Sequence, residues 1–186
     1  MSRQGPIRRP PVETVTVVTA MRFSAPPEKV WRGLMFYEQI PQRPPLHLRL
    51  LLPVPVRAEG RPSAVGDETR CVYREGHLVK RVTDLAPSRL CRFEVREQEL
   101  RIGGGIRLVS GSYALHELPD RSTRVDLETC YESPRYPRWL WRPIEVALCH
   151  AFHRHLLRAM RRAVETPSES FAARGRRSPP AVTEGG

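Results

Sequence analysis

Apolar and polar positions alternate from Glu13 to Phe23: Val15, Val17, Met21 and Phe23 fall on one side, and Thr14, Thr16 and Arg22 on the other. A period of two is the mark of a strand with one buried face. Ser24 then offers an N-cap region, and Pro26 and Pro27 fall near a first helical turn, where proline's missing N–H costs nothing. A short helix follows with Val30, Trp31, Leu34 and Met35 on one side, and Pro41, Pro44 and Pro45 end it. Residues 47–57 are apolar but interrupted by Pro53 and Pro55, which predicts an edge strand or an extended cover.

Beyond this the pattern is a meander. Residues 68–75 and 77–85 predict a hairpin turned at Glu75-Gly76, and Pro87-Ser88 marks the next turn. Residues 89–100 predict a strand with Cys91, Phe93 and Val95 on one face, and Gly103-Gly104-Gly105 reads as a bulge or a loop. Residues 106–118 and 123–132 predict a last hairpin turned at Pro119-Asp120. The final element is a helix ending near Glu165 and starting near Pro137 or, more firmly, at Pro143. At about 100° per residue, Ile144, Leu148, Phe152, Leu156, Ala159 and Ala163 share one broad face, and His150, Arg154, Arg158 and Arg161 share the other. The apolar side needs a partner.

Composition adds boundaries. The chain has 186 residues, enough for one domain, with a hydrophobic fraction of 40%. Its 19 prolines crowd the ends and linkers, and between Glu68 and Glu132 only Pro87 and Pro119 occur, so that stretch is free to be sheet. Residues 1–11 are basic and proline-rich without the apolar core of a secretory signal, and residues 167–186 are rich in Ser, Arg, Pro and Gly. Both are expected to be disordered, leaving a domain over 12–166. No apolar run approaches the roughly 20 residues that cross a bilayer. Cys71, Cys91, Cys130 and Cys149 are scattered with no Cys-x-x-Cys pair, as expected of reduced, buried thiols in a cytosolic protein.

The net charge of +11 is carried mostly by the body of the chain: Arg3, Arg8 and Arg9 give +3 to residues 1–11, and residues 167–186 hold three Arg and two Glu. No nucleic-acid-binding motif accompanies it, which argues against a nucleic-acid partner. The stripe of His150, Arg154, Arg158 and Arg161 reads either as a solvated helix face or as a contact for anionic membrane headgroups through Arg154, Arg158 and Arg161.

The passage from Met21 through Ser24-Ala25-Pro26-Pro27 to Val30-Trp31 is similar to the opening of the START-like (SRPBCC) superfamily, in which a strand ends in a small or polar residue before a helix carrying Val-Trp. Gly111-Ser112-Tyr113-Ala114-Leu115, followed by Ser122-Thr123-Arg124-Val125, resembles its penultimate hairpin, where a Thr-Arg pair opens the last strand. The resemblance spans residues 12–166. It implies an α+β helix-grip fold, a curved antiparallel sheet wrapped around a long C-terminal helix and enclosing an apolar cavity. The proline-rich residues 41–55 depart from the family, which has two short helices there.

In such a fold, inward polar side chains mark the chemistry. The parity of Cys91, Phe93 and Val95 continues to Glu97 and Glu99; Thr129 and Tyr131 share a face with Val125 and Leu127; Glu145 and His155 fall within the helix stripe. Glu97, Tyr113, Thr129, Tyr131, Leu148, Phe152 and His155 are therefore the expected ligand-binding set. Each has a plainer reading: Glu97 and Glu99 as rim residues or partners of Arg101, His155 as a core histidine, and the tyrosines as packing. Cys149, His150, His153 and His155 lie close in sequence, but His155 points away from His150 and no acidic ligand completes a metal set, so no metal is expected. Neither Ser110 nor Ser112 has a nucleophile elbow, and the triple glycine lacks the Lys-Ser/Thr of a phosphate loop. No cofactor is expected. The resemblance implies a carrier of a hydrophobic small molecule (a polyketide, quinone or lipid). The alternatives are a polyketide cyclase or dehydratase, with His155 and Glu97 or Tyr131 as proton-transfer groups, and a protein-interaction module using the basic helix face.

Overall fold

The computed structural model describes residues 12–37, 55–60 and 62–165. They form β1 (Glu13–Phe23), α1 (Pro27–Tyr37), β2 (Pro55–Glu59), β3 (Glu68–Tyr73), β4 (Gly76–Ala86), β5 (Leu90–Glu99), β6 (Arg107–Glu117), β7 (Thr123–Ser133) and α2 (Arg138–Glu165). The seven strands make one curved antiparallel sheet in the order β1-β7-β6-β5-β4-β3-β2, gripping the long C-terminal helix as expected of a helix-grip fold. β2 is an edge strand; the rest of the expected 47–57 segment, like residues 1–11 and 167–186, lies outside the described residues.

Alternation in β1 and β7 does what the pattern predicts. Val15, Val17, Met21 and Phe23 stand opposite Tyr131, Thr129, Val125 and Thr123, so the inner faces of the two strands form one surface. Phe23, Val125 and Leu115 from the sheet meet Val30 and Leu34 from α1 and Leu157, Met160 and Val164 from α2 in the main core. Gly33 permits the close approach of the two helices: a Cβ there would lie 2.4 Å from Val164 Cγ2. Thr123 is completely buried and donates from Oγ1 to the Ala25 carbonyl at 2.7 Å, fastening the last strand to the link between β1 and α1. Arg124 beside it faces outward and donates to Asp126.

α2 corrects the predicted helix face. Its buried residues are Glu145, His153, Leu157, Ala159, Met160 and Val164, while Ile144 and Ala163 are exposed and Leu148, Phe152 and Leu156 are only partly covered. The contact stripe is rotated by one residue, about 100°, from the apolar stripe. The reason is chemical: Glu145, Cys149 and His153, one turn apart, find hydrogen-bond partners on the sheet, so polar residues occupy the inside. His150 also leaves the basic outer stripe, because its Nδ1 lies 2.8 Å from Thr19 Oγ1. Arg154 and Arg158 remain exposed, and Arg161 reaches Glu165 at 3.9 Å. Neither helix is long and apolar enough to cross a membrane.

The last strands of the meander separate. β5 and β6 are paired only from Leu90↔Ala114 to Glu94↔Ser110. Further along, the Gln98 side chain takes the place of a peptide between them: its Nε2 donates to the Leu100 and Ile106 carbonyls at 3.0 and 2.9 Å, and its Oε1 accepts from Leu108 N–H at 2.8 Å. Gly103, Gly104 and Gly105 all have positive φ and close the tight turn between Ile102 and Ile106.

The rotated stripe gives a paired test. Leu157→Ala should lower the unfolding free energy by about 2–5 kcal/mol, read from urea unfolding with an unchanged slope. Ile144→Ala should change it by less than about 0.5 kcal/mol. The reverse ranking would restore the apolar stripe as the buried face.

Candidate functional site

Two features compete for function: a polar seam beneath α2 and a cleft where β5 and β6 part.

The seam runs from the start of α2 to its middle. Arg138 Nη1 donates to Glu145 Oε2 at 3.0 Å, and Ser133 Oγ donates to Glu145 Oε1 at 2.6 Å. Arg138 and Arg142 both reach Glu13 on β1, at 3.3 and 3.1 Å. One and two turns on, Cys149 Sγ and Thr129 Oγ1 lie 3.5 and 2.8 Å from His153 Nε2. Thr19 Oγ1 lies 2.9 Å from His153 Nδ1 and 2.8 Å from His150 Nδ1. Thr19 has a single hydroxyl proton, so it donates to one imidazole and accepts an N–H from the other. A neutral His153 thus has both ring nitrogens bonded, and it is 1% exposed.

Burial keeps these groups uncharged. It pushes the His153 imidazole down to about 4, with His150 adding to the shift, and pushes the Cys149 thiol up to about 12 against an opposing hydrogen bond from Thr129. The Tyr131 phenol rises to about 12, chiefly through burial and then through the nearby Glu145 charge. A neutral, saturated histidine and a thiol that resists ionisation make a poor acid–base or nucleophilic set. The seam holds the helix to the sheet. Two atoms in it are left over: Tyr131 Oη and Arg138 Nη2 are buried without a hydrogen-bond partner.

The cleft has a volume of about 340 Å³ and opens between the parted ends of β5 and β6. Val95, Leu100, Ile106 and Leu108 supply its apolar lining, and Arg96, Glu97, Arg101 and Arg107 its charge. Arg96 and Arg107 also meet Glu94 and Glu132; Arg101 has no carboxylate partner among the described residues. Ile106 and Leu108 pack on their other side against the buried cluster of Val15, Val17 and Tyr131, so the cleft borders the seam. A second hollow, about 30 Å³, lies between the end of α1 and the sheet, lined by Leu34, Val82, Cys91, Phe93 and Tyr113. Lys80 shares that lining, its Nζ 5.0 Å above the Phe93 ring.

The expected site residues are dispersed. Thr129 and Tyr131 face α2 and belong to the seam, and Tyr113 lines the small hollow. Leu148, Phe152 and His155 are part-buried on α2 and line neither hollow. Glu97 lines the cleft, but its expected parity with Val95 is lost. Val95 stands opposite Lys80 and Glu97 opposite Val79, so a bulge places Glu97 and Glu99 on the other face of the sheet, beside His77. Thr19, His77 and Gln98 escape the sequence pattern, and His153 enters it only beside the other helix histidines. Thr19 shares parity with Val17 and Met21, and His153 follows Glu145 and Cys149 at four-residue steps. Those spacings are the signal that was available.

The low pKa of His153 fixes a pH window. The unfolded chain takes up a proton near 6.5, whereas the folded chain does so only near 4. The unfolded state therefore binds more protons between these values, and stability falls as the pH drops through the window. The loss from this group is roughly 3 kcal/mol, complete by about pH 4 and absent above about pH 7. His153→Gln should flatten that part of the stability profile; an unchanged profile would mean that His153 is solvated and titrates normally.

No family model matches the chain, and no curated protein matches it. Solved structures do. Protein MLL2253 from Mesorhizobium loti is 16% identical, with a TM-score of 0.54, over 81% of this chain and 97% of that one. TTHA0849 from Thermus thermophilus is 20% identical, with a TM-score of 0.54, over 81% and 97%. An uncharacterized protein from Bacillus thuringiensis is 12% identical, with a TM-score of 0.55, over 82% and 100%. At these identities the likeness establishes a shared fold, which extends over nearly the whole of each matched structure.

Proposed function

We propose that this chain is a START-like protein that binds a small hydrophobic molecule, of the polyketide, quinone or lipid kind, in the cleft between β5 and β6. The observation that carries the reading is the cleft itself: about 340 Å³ falls in the range of small-molecule sites, and its lining sets four apolar side chains beside charged and amide groups. Burying that surface under a ligand supplies the affinity, and Arg101 at the rim favours a ligand with an anionic or strongly polarised end. Tyr131 adds support. Its partnerless hydroxyl belongs to the cluster that Ile106 and Leu108 cover, so a polar atom reaching past them would give it a partner.

Binding is favoured over cyclase or dehydratase chemistry because the buried polar groups are engaged with one another. His153 bonds two threonines, and Glu145 is taken up by Arg138 and Ser133. A proton-transfer group needs its reactive atom within reach of a substrate, and these atoms point into protein.

Titration with a fluorescent fatty acid tests the proposal. The chain should bind it saturably at one site, and Val95→Trp, which fills the cleft, should reduce affinity at least tenfold while leaving the fold intact. Arg101→Glu should weaken the carboxylate probe roughly two- to tenfold, the scale of an exposed ion pair, and leave its uncharged methyl ester unaffected. Undiminished binding by Val95→Trp would place any ligand elsewhere.

A further inference from the structure

His77, at the start of β4, is held between two carboxylates. Its Nε2 lies 3.2 Å from Glu97 Oε1, and its Nδ1 lies 3.3 Å from Glu99 Oε2. The histidine is 8% exposed, whereas the two glutamates, with side chains 51% and 67% exposed, are free to turn. A neutral imidazole carries one N–H, so one of the carboxylates necessarily faces a ring lone pair. That contact is repulsive until a positive centre enters between them. Nε2 is the atom at issue: it is buried and makes no hydrogen bond, although Glu97 is only 3.2 Å away. The nitrogen and the oxygen are close without pointing at each other, which is how two ligands on one cation stand. With metal–ligand bonds of about 2.0–2.2 Å, the edge of a tetrahedral zinc site is about 3.3 Å.

We propose that His77, Glu97 and Glu99 bind a first-row divalent cation of the zinc class. Their ligating atoms lie within 4.8 Å of one another, and one imidazole with two carboxylates suits such an ion. His77 Nε2 and Glu97 are the first ligands. Glu99 is the third, once its exposed side chain turns away from Nδ1 toward the ion. The site depends on the bulge in β5, which carries both glutamates to the face of the sheet that bears His77. Because Glu97 also lines the cleft, the site adjoins it, although the proposal does not require any ligand there.

The test is titration of tag-free, chelator-treated full-length chain with cobalt(II) at neutral pH, followed by calorimetry and by the visible absorption of the ion. One equivalent should bind, develop ligand-field bands and be displaced by zinc. The Glu97→Gln/Glu99→Gln double variant changes only exposed side chains and should keep the wild-type melting temperature without metal, while losing at least tenfold in cobalt affinity. Added zinc should raise the melting temperature of the wild type and not of the variant. Absence of saturable binding would overturn the proposal. Equal binding by wild type and double variant would overturn it as well, because the metal would be held by thiols or histidines elsewhere.

Discussion

Everything in this fold hangs on how α2 is seated against β1 and β7, and that seat is half polar. At its C-terminal half the helix inserts Leu157, Met160 and Val164 into an apolar core with Phe23, Val30 and Val125. At its N-terminal half it presents Glu145, Cys149 and His153 to Ser133, Thr129 and Thr19. Apolar contacts tolerate a slide or rotation at modest cost, whereas a buried hydrogen-bond network does not, since every misplaced donor or acceptor incurs its full desolvation. The lower half supplies cohesion and the upper half fixes rotation and height. A helix set one residue differently would turn Met160 from the core and part His153 from Thr19 and Thr129.

That division explains why the fold is legible from the residues and the face of the helix is not. Strands announce themselves through alternation, and the bounds of β1 and the turns at Pro87-Ser88 and Pro119-Asp120 follow from pattern and turn chemistry alone. Periodicity misplaces the helix stripe because it weighs residues by hydropathy. His153 and Glu145 count as polar, yet the hydroxyls of Thr19, Thr129 and Ser133 on other parts of the chain draw them inward. Thr19 lies more than a hundred residues away from its histidine, and spacing within the helix carries no trace of it.

Glu97 illustrates a second kind of illegibility. Its side is inferred by counting in twos from Cys91, and one extra residue in β5 between Val95 and Glu97 reverses the count. Bulges of this kind arise from pairing with a neighbour and require no particular residue at the site. Gln98 belongs to the same class. An amide in a strand has many roles, and its use as a substitute peptide depends on β6 having already drawn away.

The substitution of a side chain for a peptide at Gln98 also has a mechanical consequence. Up to Glu94 the sheet is laced across by peptide hydrogen bonds, which yield only together. Beyond it, one rotatable side chain spans the gap between the β1-β7-β6 panel and the β5-β4-β3-β2 panel. Two of its hydrogen bonds cross to Leu108 on β6 and to Ile106 just before it, and the backbone turn between Ile102 and Ile106 closes the hairpin beyond them. Parting the two strands at this end breaks side-chain hydrogen bonds rather than a ladder of peptide ones.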